Sequence, residues 1–521
     1  MNTLTRAADA LAVTPLLNCL LREAAEPASA VPDTGREEPS DRSVHRLRAS
    51  GRLLRVRPGH RPSSPELWNG RSWRALDHAA LVDLAVQEMS ATTGRSNPAL
   101  AAEMAASRSA VRAVLAARAR TTPPEDPWLR SEQALVMGHP YHPAPKARTS
   151  GGSPTAWLRY APEAYARFPL VLLGVREDAV VEDGDTRALD ALGEAPPGYR
   201  LLPAHPWQLE LSDRVPRLRA AFAEGRLIRL GTTREAARPT SSVRTLYVPG
   251  GGSGTGDGLF LKFSLDVRIT NDIRRMRRHE LLHVRRTDPL VSAAFTAMGG
   301  PATWLSDRGY RTVDGLFETC AVLVRDGLDR HLAPGTTAVL AAALVEGFPG
   351  NPLDRVTDPR VWWSAYLRQV VPPVLEAFAR FGVVVECHLQ NTLIAVDAQG
   401  LPVQSVFRDA EGAKTVPEMP REAAWRRLAY CLVVNNLSEV AGALADRFPG
   451  STAALWALAR AEFERGGRLP ALPGLAGLLD EPTLPGKANL LSRWIRAEGT
   501  APRYLPVPNP LVRDTVGSTR A

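Results

Sequence analysis

An α+β fold divided among several domains is what this sequence predicts, and three observations lead there. At 521 residues the chain exceeds one ordinary hydrophobic core, so roughly two to four domains are expected. Helix-forming stretches crowd both ends, while the middle carries short apolar runs separated by Pro and Gly. Late in the chain a strand–turn–strand pattern, 392–397 and 402–407 around Ala398-Gln399-Gly400, stands between two polar clusters.

Taken in order, residues 1–24 read as a helix and 26–45 as a mobile linker rich in Pro and Ala. Helical segments follow, clearest at 98–120, which is rich in Ala and Arg and stops at Thr121-Thr122-Pro123-Pro124. From 132 to about 270 the pattern is mainly sheet, with apolar runs at 170–175, 243–248 and 259–267. Helix is expected again at 272–283 and 337–346. Two further helical pieces, 362–371 and 373–380, should be broken or kinked at Pro372-Pro373. Residues 421–446 and 452–465 read as helices, and the Pro-rich tail from Ala497 as partly disordered. Domain boundaries are placed near 130 and 345: a mostly helical 1–130, a sheet-rich 131–345, and 346–521 with the late hairpin.

Composition narrows the function less than the motifs do. With 44% hydrophobic and 23% charged residues the chain is an ordinary soluble globular protein. No run of about 18 apolar residues predicts a membrane span, and the start lacks a basic leader, so no signal peptide is expected. Cys19, Cys320, Cys387 and Cys431 lie far apart without CxxC spacing. That argues against zinc and disulfide scaffolds and suits a reducing cytoplasm. The net charge of +9, mostly from arginine, fits nucleic acid and small anionic substrates equally. No helix-turn-helix, zinc or RNA-binding signature favours the first.

Five constellations carry chemistry. Glu386-Cys387-His388-Leu389-Gln390-Asn391 precedes the late hairpin and Arg408-Asp409-Ala410-Glu411-Gly412 ends it. Folded back, Glu386, Asn391 and Asp409 would share a magnesium ion, which takes oxygen ligands and keeps phosphates in its remaining positions. His388 reads as a substrate or phosphate contact in that company, Cys387 as core. Gly138-His139-Pro140-Tyr141-His142-Pro143-Ala144-Pro145-Lys146 is a proline-stiffened loop, either a plain surface turn or a display of His and Lys toward an anion. His205-Pro206-Trp207-Gln208 reads as structural, with Trp207 buried. Ser242-Val243-Arg244-Thr245 and Lys262 sit on two neighbouring strands, where a lysine amid apolar residues is costly unless paired; Arg244 and Lys262 would point together at phosphates. The Gly-rich turn 249–258 joins strands rather than opening a helix, so it is a hairpin connection and not a dinucleotide fingerprint. Finally Thr270 or Asn271 would cap a helix carrying Arg274 and Arg278 on one face.

These pieces, in this order, resemble the siderophore synthetases that work without nonribosomal peptide synthetases, the aerobactin-synthetase-like IucA/IucC family. The resemblance spans roughly 130–495 and includes Lys487-x-Asn489-Leu490-x-x-Arg493 as a closing basic motif. It implies a cupped-hand architecture of thumb, fingers and palm, with a kinase-like hairpin in the palm, and a homodimer. The implied reaction is ATP- and Mg²⁺-dependent adenylation of a polycarboxylic acid, then displacement of AMP by an amine or hydroxylamine. Carried over by position, His142, Lys146, Ser242, Arg244, Thr245, Lys262, Arg274, Gln390 and Asn391 would bind ATP. Thr270, Arg274 and His388 would grip the carboxylate, with Arg274, His388 and Lys262 catalytic. Glu386, Asn391 and Asp409 would hold the metal. The rival reading is a kinase-like phosphotransferase, since Lys262, Asn391, Asp409 and Gly412 partly follow a kinase layout; a basic nucleic-acid binder is the non-enzymatic alternative.

Overall fold

A computed structural model describes residues 3–28, 41–148, 155–252, 257–270, 272–467, 472, 474–496 and 503–513. It is an α+β protein whose central element is an eight-stranded antiparallel sheet. The strands run in the order Val180–Gly184, Asp307–Val313, Val322–Arg325, Leu259–Phe263, Thr245–Val248, Leu227–Pro239, Phe168–Arg176 and Tyr199–Ala204. Alternation along Leu259–Phe263 fails as an inside–outside signal, because all five residues are buried. A four-stranded sheet holds the late hairpin, with Thr303–Leu305 parallel to Pro402–Arg408, then Thr392–Val396 and Thr337–Leu340.

The helix Pro359–Phe381 packs on this smaller sheet and runs as one helix through Pro372 and Pro373, where a break or kink was expected. Each proline removes an amide and leaves a carbonyl four residues earlier without its helical partner. At Gln369 that carbonyl accepts from the Ser405 hydroxyl at 2.7 Å, and burial of Trp362, Trp363, Tyr366 and Val370 on the same helix does the rest.

Several local expectations change. Residues 43–75 form strands rather than helices, and with Ala25–Pro27 make a five-stranded sheet beside the helices Thr3–Ala24, His78–Thr93 and Pro98–Arg118. Residues 337–346 divide into a strand and the short helix Ala341–Glu346. Part of the tail, Tyr504–Pro508, pairs with Thr483–Lys487. The helix expected from 272 begins only at Arg278. Before it, Arg268–Ile269 pairs with Asp272–Ile273 in a tight hairpin, closed further by Leu265 N–H to Arg274 O and Arg274 N–H to Val267 O at 2.8 and 3.1 Å. Arg274 and Arg278 therefore do not share a helix face, and Asn271 lies outside the described residues, as do 149–154 and 253–256.

Two helical stretches, Thr3–Ala24 and Arg421–Arg447, are by length and mean hydropathy able to span a membrane, although neither is an unbroken apolar run; 56% and 78% of their apolar windows are buried within the fold. The second contains a π-helical segment, Tyr430–Leu437, an irregularity often found near functional sites. The four cysteines are buried and free.

Candidate active site

A cavity of about 510 Å³ opens between the large sheet, the late hairpin and the last helices. Lys146, Ser242, Arg244, Thr245, Lys262, Thr270, Arg274, Glu386, His388, Gln390, Asn391 and Asp409 all line it. Antiparallel pairing sets Thr245 opposite Lys262, so two of these residues share a sheet face by register alone.

The centre is a compact charge cluster. Lys262 Nζ lies 2.5 Å from Asp409 Oδ1 and 2.8 Å from Glu411 Oε2. Arg244 Nη2 reaches the same Glu411 oxygen at 3.0 Å. Arg325 donates to Asp409 Oδ1 at 3.0 Å and to Asp307 at 2.6 Å, while Asp307 also accepts Ala410 N–H at 2.9 Å. That clamp holds Asp409 at φ 85°, a left-handed conformation that non-glycine residues seldom adopt. Burial alone would raise both carboxyl pKa values. Lys262 and Arg325 outweigh it at Asp409, which stays well below the usual range, and Lys262 and Arg244 hold Glu411 at about 2.

Thr270 closes the tight hairpin, also left-handed at φ 58°. Arg274 donates to its hydroxyl and to Ile269 O, both at 2.9 Å. Among the described residues Arg274 forms no ion pair. Burial, with Arg244 beside it, lowers its pKa. An anion is the missing partner that such a group calls for.

Across the cavity, His388 Nδ1 accepts Gln390 N–H at 3.2 Å, and burial lowers its pKa, favouring the neutral ring. Arg408 fixes this turn by donating to Gln390 O at 2.8 Å while paired with the buried Glu132. Asn391 Nδ2 is buried without a hydrogen-bond partner among the described residues, an orphaned donor suited to a phosphate oxygen. Glu386 faces Arg427 at 2.7 Å. Gly412 makes room for it, since a Cβ there would stand 1.9 Å from Glu386 Oε2.

The proline-stiffened loop behaves otherwise than its histidines suggest. Lys146 is ion-paired with Glu163, which Arg148 also approaches at 3.5 Å. His142 does not line the cavity; it is buried and accepts Ala144 N–H at 3.1 Å. His139 and Tyr141 face the cavity instead. His205, likewise outside it, caps the helix Pro206–Ser212 by accepting Trp207 N–H.

Sequence reasoning missed several residues here. Glu411 stood inside a quoted motif yet had no role, although its spacing from Asp409 places both carboxylates on one turn. Arg325, Tyr430, Asn435 and Glu439 carry no local signal, because pairing of distant strands and the π-helical segment bring them in. No group of three His, Cys, Asp or Glu among the described residues is arranged to hold a metal. An ion here would take one or two carboxylates and fill its shell with phosphate and water.

Residues 127–346 match the IucA / IucC family, and residues 360–501 match the family described as ferric iron reductase FhuF-like transporter. An L-2,3-diaminopropanoate–citrate ligase of Staphylococcus aureus (strain NCTC 8325 / PS 47) is 28% identical over 87% of this chain and 88% of its own length. The rhizobactin siderophore biosynthesis protein RhbC of Rhizobium meliloti (strain 1021) is 30% identical over 82% of this chain and 85% of its own. In fold, the chain matches ATP-bound aerobactin synthetase IucA of Klebsiella pneumoniae with a TM-score of 0.80 at 21% identity, covering 96% of this chain and 99% of that one.

Proposed function

Because the chain belongs to the IucA/IucC family of siderophore synthetases, we propose that it is an ATP-dependent acid–amine ligase. It activates a polycarboxylic acid, citrate or a close analogue, as the acyl-adenylate and passes the acyl group to an amine or hydroxylamine. The naming of one relative as a citrate ligase acting with a diamino acid supports this reading. The observation that carries it is Arg274: a half-buried guanidinium lining the cavity, in no ion pair among the described residues and with Arg244 beside it.

The first step brings a carboxylate to the α-phosphorus of ATP, two anions that repel, so catalysis is positioning plus positive charge. Ser242, Arg244, Thr245 and Lys262 cradle the phosphates, with Asn391 and Gln390 on the opposite wall. Arg274, Thr270 and His388 hold the acid. Lys262 is ion-paired with Asp409 and Glu411, so phosphates would share its ammonium with these carboxylates or displace them from it. Asp409, with Glu386 and Asn391, would hold Mg²⁺, which when bound would offset phosphate charge. Lys146, neutralised by Glu163, acts at most indirectly, and His142 supports the loop rather than touching nucleotide. A homodimer is part of the proposal.

Nucleotide product analysis tests it. Supplied with ATP, Mg²⁺, an acid panel and an amine panel, the protein should release AMP and pyrophosphate in an acid-dependent way. Release of ADP instead would transfer it to the kinase reading.

A further inference from the structure

Two walls of the cavity come from different sheets, and one buried carboxylate fastens both. Ser242 and Arg244 stand where the large sheet turns from Leu227–Pro239 into Thr245–Val248, whereas Gln390 and Asn391 precede the hairpin of the smaller sheet. Glu132 ends the short helix Pro127–Glu132, is fully buried and does not itself line the cavity. Its Oε2 accepts Ser241 N–H at 3.1 Å and the Ser241 hydroxyl at 2.9 Å. Arg408 donates to Oε1 at 2.5 Å and to Oε2 at 3.1 Å. The same guanidinium donates to Gln390 O at 2.8 Å. The flanking residues brace this carboxylate from both sides. Ser131 Oγ accepts Leu340 N–H of the smaller sheet at 3.0 Å, and Gln133 Nε2 donates to Pro239 O of the large sheet at 2.9 Å.

The turn that Glu132 grips is strained. Val243 lies at φ 64°, a genuine outlier for a β-branched side chain, and such backbone persists only where its surroundings impose it. Val243 N–H to Thr240 O at 2.9 Å and Arg244 N–H to Ser242 O at 2.7 Å shape the turn from within. Ser241 ties it to Glu132 and so to the opposite wall, where Arg408 N–H also donates to Asn391 O at 3.1 Å. A buried ion pair is a poor source of stability, because desolvation of both charges offsets their attraction. Apolar residues of like volume would hold the two sheets together as well. They would not fix Ser241 against Gln390 through hydrogen bonds of set direction.

Resting on the ligase reading above, we propose that Glu132 is a positioning residue for adenylation. It sets the spacing between the donors at 242–245 and those at 390–391 so that both meet one triphosphate. Ground-state binding tolerates a displaced wall, since the nucleotide follows the donors it finds. In-line attack on the α-phosphorus needs both walls at once, and a displacement of about 1 Å can cost about 100-fold there. Loss of Glu132 therefore falls on turnover more than on nucleotide affinity.

The experiment measures acid-dependent pyrophosphate–ATP exchange, with kcat referred to the folded fraction found by denaturant titration. Absence of exchange by the wild type with every acid refutes the ligase reading itself, and the positioning role with it. Where the wild type exchanges, Glu132→Gln should lower kcat by about 30- to 100-fold while KM for ATP stays within about threefold. Ser241→Ala leaves the buried ion pair intact and decides the question if Glu132→Gln does not fold. It should lower kcat by about 10-fold, the worth of one hydrogen bond to a charged group. Ser241→Thr, which returns the hydroxyl, should recover most of that loss. Wild-type kcat per folded protein in either Glu132→Gln or Ser241→Ala would overturn the assignment. So would a loss carried mainly by KM for ATP, or a Ser241→Thr variant as slow as Ser241→Ala.

Discussion

At the scale of single residues, the site keeps groups that a stability-optimised protein would discard. Arg274 is half-buried and in no ion pair among the described residues, and Thr270 and Asp409 sit in left-handed backbone. Strain and unpaired charge of this kind persist where function requires them. Arg274→Met should therefore reduce acid-dependent pyrophosphate exchange by about 100-fold or more, yet leave unfolding stability equal or raise it by about 1 kcal/mol. Exchange kinetics and a denaturant titration on the same preparation check both halves; retained exchange would remove Arg274 from the site. Gly412 gives the complementary case. A methyl group there meets Glu386 Oε2 at 1.9 Å, so Gly412→Ala must push Glu386 away from Arg427. Slower turnover with a raised Mg²⁺ requirement is the expected result, and an unaltered Mg²⁺ titration would mean that Glu386 is remote from the metal.

At the scale of elements, legibility in the sequence followed how local each cause was. The hairpin at 392–408 was readable because its turn, its alternation and its flanking polar clusters are contiguous. The helix through Pro372-Pro373 was not, since what rescues it is a hydroxyl from a strand more than thirty positions away. Ser405→Ala tests that account: with Gln369 O left buried and unpaired, stability should fall by about 1–3 kcal/mol. An unchanged denaturation midpoint would show that the helix needs no such partner. The start of the helix at Arg278 was misplaced for a similar reason. Helix propensity after Asn271 was legible, but the pairing of Arg268–Ile269 with Asp272–Ile273, which claims those residues first, was not. Most of the cavity lining from Ser242 to Asp409 was found because Arg, Lys, His and carboxylates stand in compact motifs. Arg325 and Glu439 were not, because each is polar in a stretch that otherwise reads as core strand or helix.

At the scale of the whole molecule, the two ends of the chain are tied together, and the tie carries Lys487 and Asn489 to the cavity. Glu23, near the end of the first helix, accepts Leu490 N–H at 2.9 Å and Leu491 N–H at 2.8 Å, capping the short helix Asn489–Trp494. Asn97 reinforces the junction by donating to Arg493 O and Trp494 O at 3.1 and 2.9 Å. Burial pushes the Glu23 pKa from 4.5 up to about 7, although the two amides pull the other way. A carboxyl whose pKa rises on folding stabilises most below its unfolded value, and that contribution fades as pH climbs through the folded value. Between about pH 5 and 8 the junction should thus lose roughly 2–3 kcal/mol from this one group, because each tenfold change in an acid dissociation constant corresponds to about 1.36 kcal/mol. Glu23→Gln, which cannot ionise, should flatten that slope while other titrating groups act equally in both proteins. Denaturant unfolding of the pair at pH 5.5 and pH 8 isolates the difference; parallel slopes would show that Glu23 is not the group that makes the junction sensitive to pH.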